Sequence, residues 1–182
     1  GIIPYRKSIT KEEIEEATIK VIVGTEKKSH KITPKEKKLV SYHEAGHAVV
    51  GIKLEGANEV QKITIIPRGQ AGGYVLMTPE QDQFLETKGE LLDEICGLLG
   101  GRISEEVFFD DITTGAHNDI EKATRIARLM VTEFGMSNLG PIQYEKNSGS
   151  VFLGRDYTNS QRSFSSEVGK EIDREVRRII DE

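Results

Sequence analysis

Apolar residues recur at three- and four-residue intervals in five segments of the chain, a spacing typical of amphipathic helices. Three of these segments begin with a threonine that is followed three residues later by a glutamate, the arrangement of a capping box. The pairs are Thr10 with Glu13, Thr33 with Glu36, and Thr87 with Glu90. The fourth helix is expected to begin at Asn118 and the fifth near Ser166. The pattern therefore predicts a mainly helical chain.

The spacing of apolar residues changes between the second and third helices, where two short runs are rich in β-branched and aromatic residues. These runs are KITII at residues 62–66 and GYVLM at residues 73–77, and the glycine-rich segment PRGQAG lies between them. This arrangement predicts a β-hairpin. We therefore expect an α+β fold, mainly α with a small β element, in which a short hairpin lies beside the second helix. From Ser137 to Ser165 the chain is rich in Gly, Ser and Asn, which predicts a long loop.

Composition narrows the possible classes of protein. The chain has 182 residues, of which 36% are hydrophobic and 30% charged, values that are ordinary for a soluble globular domain. A net charge of -5 argues against binding to nucleic acid, because proteins of that class usually present a basic surface. The one cysteine, Cys96, cannot form an internal disulfide, which favours a reducing compartment. Gly100 and Gly101 lie within the third helix, where glycine is unfavourable, so close helix packing is expected there.

The second helix carries the motif H-E-x-x-H, formed by His43, Glu44 and His47. Residues four apart lie above one another on a helix, so the two imidazoles can point at one metal ion. Glu44 lies about 100° further round the helix, where its carboxylate can reach a water molecule beside the metal. Zinc held by two histidines and one further ligand retains a position for water, whose proton a carboxylate can accept. The motif therefore predicts a zinc hydrolase with Glu44 as the general base.

The third protein ligand must lie outside this motif. Some zinc peptidases use a histidine six residues after the second one, but Lys53 occupies that position here. Asp119 is expected in the first turn of the fourth helix, where backbone N–H groups and the helix dipole favour a carboxylate. The spacing leaves several candidates further along the chain, namely Glu105, Glu106, His117, Asp119 and Glu121.

Several other blocks follow the motif in a fixed order, namely ITIIPRG, LLGGRISEEVFF, TTGAHNDIEKATRIARLMV, GMSNLGP and VFLGR. Together with YHEAGHAVV they make residues 33–182 resemble the protease domain of the FtsH family of membrane-bound, ATP-dependent zinc metalloproteases. This resemblance implies Zn²⁺ bound by His43, His47 and Asp119, with Glu44 as base and Glu105 as runner-up for the third ligand. It also implies that the substrates are unfolded polypeptides and that the role is protein quality control.

The resemblance further implies a division of the chain. Residues 1–32 are expected to be the end of an AAA ATPase module, with its last helix and a linker, and residues 33–182 a zinc metallopeptidase domain truncated at its C-terminus. The full-length protein is expected to form a homohexameric ring at the cytoplasmic side of the inner membrane, whereas this fragment is expected to be soluble. The chain has no G-x-x-x-x-G-K-[ST] motif, so ATP and Mg²⁺ are expected only in the absent module.

The first run of the hairpin suggests a substrate-binding role. Our hypothesis is that Ile63, Thr64, Ile65 and Ile66 belong to an edge strand that binds an extended peptide by strand addition. Backbone hydrogen bonds hold a peptide whatever its sequence, which suits a degradative enzyme. The alternative is a hairpin that only packs into the core. Two other functions also stay open, a metal amidohydrolase of small substrates and a non-catalytic assembly module with a structural metal.

Overall fold

The computed structural model describes residues 8–26, 32–54, 56, 59–69, 71–78, 85–145 and 164–182. Within these segments the helices are α1 Lys11–Ile22, α2 Pro34–Lys53, α3 Lys88–Phe109, α4 His117–Thr132 and α5 Ser166–Asp181. The strands are β1 Glu59–Thr64 and β2 Tyr74–Thr78, which pair antiparallel. The predicted mainly helical fold with a small β element is confirmed.

The starts of α1, α2 and α3 follow the predicted capping boxes. Thr10, Thr33 and Thr87 each accept a hydrogen bond from the third backbone N–H of their helix. In each case the glutamate at that third position accepts a bond from the N–H of the capping threonine. Both interactions span only three residues, so they fix the helix start without any tertiary contact.

The start of α4 differs from the prediction. Asn118 is not the capping residue, because α4 already begins at His117, after a short 3-10 turn at Thr114–Ala116. Thr113 caps that turn by accepting the backbone N–H of Gly115 at 3.1 Å. The chain is therefore already helical before it reaches Asn118, so Asn118 lies inside α4 and not at its N-cap.

The first strand of the hairpin is shifted toward the N-terminus relative to the prediction, whereas β2 begins one residue later than the predicted second run. β1 begins at Glu59 and contains an irregularity between Val60 and Lys62. It ends at Thr64, whose hydroxyl oxygen accepts the backbone N–H of Ile66 at 3.2 Å. This local bond replaces a ladder hydrogen bond, so Ile65 and Ile66 follow the strand instead of belonging to it.

Two kinds of packing hold the helices together. The core cluster comes from α3, α4 and α5 and includes Leu91, Ile95, Ala127, Met130 and Ile172. Helix α2 lies against α3 where Gly46 of α2 meets Gly100 of α3. The close helix packing predicted at Gly100 and Gly101 is confirmed at this crossing. A methyl group built on Gly46 would overlap the carbonyl oxygen of Gly100, and one built on Gly100 would lie 2.9 Å from the Gly46 carbonyl oxygen. No side chain larger than hydrogen fits between the two backbones at this point.

Some sequence features lie outside the described residues. Of the expected long loop, only residues 137–145 and 164–165 are described, and its VFLG segment lies outside them. The same holds for residues 27–31 of the expected linker and for residues 1–7. Among the described helices, none is both long and apolar enough to cross a lipid bilayer.

Candidate metal centre

Side chains from α2 and from the first turn of α4 converge on one point. His43 Nε2 lies 3.1 Å from His47 Nε2, so the two imidazoles of the motif face the same point. The Oδ2 atom of Asp119 lies 3.4 Å from His43 Nε2 and 3.5 Å from His47 Nε2. These three residues are the one group of histidine, cysteine and acidic side chains, among the described residues, that could hold a metal ion.

The spacing of these atoms fits a tetrahedral zinc site. Ligand atoms at about 2.0–2.1 Å from a tetrahedral zinc ion are separated from one another by about 3.3–3.4 Å. The observed separations of 3.1, 3.4 and 3.5 Å bracket that value. Three protein ligands leave one tetrahedral position open, which is the arrangement of catalytic zinc sites.

The space around the two imidazoles depends on Gly101 of α3. A methyl group built there would lie 2.5 Å from His47 Nε2 and 2.6 Å from His43 Nε2. The missing side chain therefore leaves room for the metal-binding nitrogens. The sequence indicated only that glycine was unusual inside this helix, and gave no sign that it faces the site.

The remaining nitrogen of each imidazole has its own acceptor. His43 Nδ1 donates to Glu105 Oε1 at 2.7 Å, and His47 Nδ1 donates to the Gly97 carbonyl oxygen at 2.8 Å. Both acceptors lie on α3. Because each Nδ1 carries the proton, each Nε2 presents a lone pair to the shared point, the tautomer that metal binding requires.

Glu105 also organises the segment that precedes Asp119. This residue is 2% exposed, and its carboxylate accepts hydrogen bonds from the backbone N–H of Thr113 at 2.6 Å and from the Thr113 hydroxyl at 3.0 Å. One buried carboxylate thus connects the ring of His43 to the chain that leads into α4. Since both oxygens are bonded on the Nδ1 side of His43, Glu105 is not among the three residues that converge at Nε2.

The other candidates for the third ligand lie away from this point. Glu106 and His117 are exposed. Glu121 is exposed and forms an ion pair with Arg125 at 3.2 Å. Of the acidic and histidine candidates that the sequence left open, the structure therefore brings only Asp119 to the two imidazoles.

The charges within the group shift the pKa values of its members. Burial would raise the pKa of Asp119, but its interaction with the two imidazoles of His43 and His47 outweighs burial and holds that pKa well below its usual range. Burial would lower the pKa of His43, but the carboxylates of Asp119 and Glu105 outweigh it and raise the pKa. Asp119 is thus an anion next to two imidazoles, which is the charge state of a metal ligand.

Glu44 is buried beside this group but is not part of it. It is 6% exposed, and this burial raises its pKa to about 7, against the opposing effect of the two nearby histidines. A methyl group built on Gly73 would lie 2.9 Å from Glu44 Oε1 and 2.6 Å from the Thr64 carbonyl oxygen. The Glu44 carboxylate therefore lies next to the junction of the two strands, and a carboxyl group with a pKa near 7 can both accept and release a proton at neutral pH.

The proposed substrate strand lies at this same junction. Ile63 is 49% exposed and Ile66 is 48% exposed. Within the described residues β1 pairs only with β2, so its other edge has no backbone partner there. Thr64, the last residue of β1, pairs with Tyr74, the residue after Gly73.

Comparison with known proteins agrees with the geometry. Residues 30–182 match the family described as Peptidase family M41. A protein from Acholeplasma laidlawii named ATP-dependent zinc metalloprotease FtsH is 58% identical over 177 residues, which cover 97% of this chain and 28% of that protein. Proteins of the same name from Bacillus subtilis and Mesomycoplasma conjunctivae are 54% and 60% identical, over 97% and 94% of this chain.

This chain spans only about a quarter of the length of these relatives, 28%, 28% and 23% respectively. The matched region nevertheless includes the H-E-x-x-H helix, the glycine that faces it and the segment that carries Asp119. On this similarity, the chain belongs to peptidase family M41.

Proposed function

We propose that this chain is the peptidase part of an ATP-dependent zinc metalloprotease and that it cleaves peptide bonds in unfolded polypeptides. The observation that carries the proposal is the convergence of His43, His47 and Asp119 at tetrahedral spacing, with Glu44 buried beside them and left out of the ligand set. The names of the relatives add the metal and the type of reaction.

The chemistry divides between the metal and Glu44. His43, His47 and Asp119 would hold the zinc ion, which would supply Lewis acidity that lowers the pKa of water and polarises a carbonyl group. Glu44 accepts a proton from the water molecule that attacks the peptide carbonyl carbon. As the C–N bond breaks, the same carboxyl group donates that proton to the departing amine nitrogen. The pKa of about 7 suits both steps.

The third ligand is assigned to Asp119 in preference to Glu105. The carboxylate of Glu105 already accepts hydrogen bonds from His43 and from the backbone and hydroxyl of Thr113. In this role Glu105 fixes the ring of His43 and keeps its proton on Nδ1.

We place the substrate along residues Ile63–Ile66. An extended peptide that adds to the open edge of β1 would form backbone hydrogen bonds irrespective of its sequence. The exposed side chains of Ile63 and Ile66 would add apolar contact. The position of Thr64 next to Gly73, and of Gly73 next to Glu44, supports a peptide that runs toward the base.

The remaining proposals concern the full-length protein. We propose that α1 is the last helix of an AAA module, that residues 1–32 include the linker and that residues 33–182 form the peptidase domain; the family match from residue 30 supports this division. We further propose a hexameric ring at the cytoplasmic face of a membrane, in which the ATPase delivers unfolded chains. The substrate would then reach Glu44 already extended, as strand addition requires.

Glu44→Gln tests the proposal most directly. The amide has the shape of the carboxylate but cannot accept the proton, so cleavage of unfolded casein should fall by at least about 100-fold. Zinc content by elemental analysis should stay at one ion per chain. Asp119→Asn serves as the comparison, because it should lose both zinc and activity.

The outcomes separate the competing functions. A Glu44→Gln protein that keeps the wild-type rate would rule out the mechanism. Zinc binding without any hydrolysis would favour an assembly module with a structural metal. Hydrolysis of small amides but not of unfolded protein would favour an amidohydrolase.

A further inference from the structure

Arg68, in the connection between β1 and β2, is a charged residue that is only 7% exposed. Its two terminal nitrogens donate to the two carboxylate oxygens of Glu16, at 2.8 and 3.0 Å. Glu26 lies further away, 3.9 Å from the same guanidinium. A buried guanidinium requires such a partner, and here α1 supplies it.

The backbone forms a second contact between the same two segments. The N–H of Gly69 donates to the carbonyl oxygen of Thr25 at 3.1 Å. Gly24 and Gly69 both have positive φ, +100° and +52°, and a methyl group on Gly24 would lie 3.1 Å from the Gly69 Cα. The residues that follow α1 thus run directly against the tip of the hairpin, at a distance that only glycines allow.

The segment held in this way leads to the catalytic base. Arg68 and Ala71 exchange two backbone hydrogen bonds, of 3.0 and 2.8 Å, which close the tip of the hairpin. Two residues further along lies Gly73, which separates Glu44 Oε1 from the Thr64 carbonyl oxygen. A displacement of the tip would therefore be transmitted to the junction at which both the base and the end of β1 lie.

We propose that Arg68 is a positioning residue for peptide cleavage, and that it holds the substrate edge of β1 in place through its ion pair with Glu16 of α1. The inference rests on the proposed peptidase function but goes beyond it, because α1 lies outside residues 30–182, the part that matches the peptidase family. The segment that precedes the peptidase domain thereby completes the shape of its substrate site.

Glu16→Gln is the informative variant, because Glu16 is half exposed and its replacement leaves the core intact. We expect KM for an unfolded peptide to rise roughly threefold to fivefold, the upper part of what a partly exposed ion pair contributes, with kcat and zinc affinity unchanged. Hydrogen exchange of residues 66–78 should become faster. Glu15→Gln is the matched control, because Glu15 lies next to it in α1 and, among the described residues, forms its ion pair with exposed Lys11, at 3.8 Å.

Arg68→Gln completes a double-mutant cycle. If Arg68 and Glu16 act as one unit, KM of the double variant should be no higher than KM of Arg68→Gln alone. A purely structural role would lower Tm and the active fraction while KM stayed constant, and that result would overturn the proposal. The proposal would also be overturned if Glu16→Gln and Glu15→Gln had the same KM and the same rates of hydrogen exchange. A wild-type protein without peptidase activity would instead refute the proposed function, and the inference with it.

Discussion

A single methyl group added at Gly101 should remove most of the affinity of this protein for zinc. The new Cβ would lie 2.5 Å from His47 Nε2 and 2.6 Å from His43 Nε2, whereas ordinary van der Waals contact begins near 3.4 Å. Each imidazole would therefore have to retreat by about 0.8–0.9 Å, the difference between these distances. Such a retreat is large compared with the tolerance of about 0.2 Å in a zinc–nitrogen bond.

Neither ring has a free path along which to retreat. The Nδ1 atom of His43 is held by Glu105 at 2.7 Å, and that of His47 by the Gly97 carbonyl oxygen at 2.8 Å. Substitutions that only disturb the partners of a ligating histidine typically cost 10- to 100-fold in metal affinity. Displacement of both ligands should therefore cost at least about 100-fold, or about 2.7 kcal/mol of binding free energy.

Gly97→Ala provides a matched control on the same helix. A methyl group at Gly97 would meet nothing within 4 Å. Both substitutions add the same intrinsic helix propensity, about 1 kcal/mol, so a difference between them reports the contact with the histidines. Zinc affinity is measured by competition with a chromophoric chelator, and circular dichroism verifies that both variants fold.

The comparison can contradict the reasoning in a simple way. If folded Gly101→Ala binds zinc within about threefold of Gly97→Ala, the two imidazoles are not confined as the distances imply. The role assigned to the glycine at this point of α3 would then be wrong.

Three further predictions concern the same centre. Glu105→Gln should weaken zinc binding by about 10- to 100-fold, because an amide cannot accept all three hydrogen bonds; Glu106→Gln, next to it and exposed, should leave the affinity unchanged in the same titration. Gly73→Ala should lower kcat by about tenfold or more with zinc retained, because its methyl group displaces Glu44; an unchanged kcat would refute the contact. Zinc at 100 times its Kd should stabilise the fold by about 2.7 kcal/mol, or raise Tm by roughly 5–10 °C, and a chelator should reverse the shift in a thermal melt.

The parts of the structure that were predictable from the sequence depend on contacts within a few residues. The capping boxes of Thr10, Thr33 and Thr87 span three residues, and their geometry is the same in any helix start. The shared face of His43 and His47 follows from the helical period alone. These features can therefore be predicted without knowing which elements pack against the helices.

The rest required the tertiary structure. Asp119 was one of five acidic or histidine candidates, and only the crossing of the helices brings its carboxylate to the imidazoles. Asn118 had the features of a helix cap, but Glu105, from another helix, bonds Thr113, and Thr113 caps the turn that starts the helix earlier. The predicted strand ran too far because β-branched residues continue to Ile66, whereas the hydroxyl of Thr64 ends the ladder.

The two imidazoles of the centre differ in how evolution could adjust them. The partner of His43 is the side chain of Glu105, so a point mutation can change the electron-donating strength of that ligand. The partner of His47 is the main-chain carbonyl of Gly97, which every amino acid carries. Selection can therefore change the acceptor of His43 by a point mutation. The acceptor of His47 stays a backbone carbonyl through any replacement at residue 97 that preserves the helix.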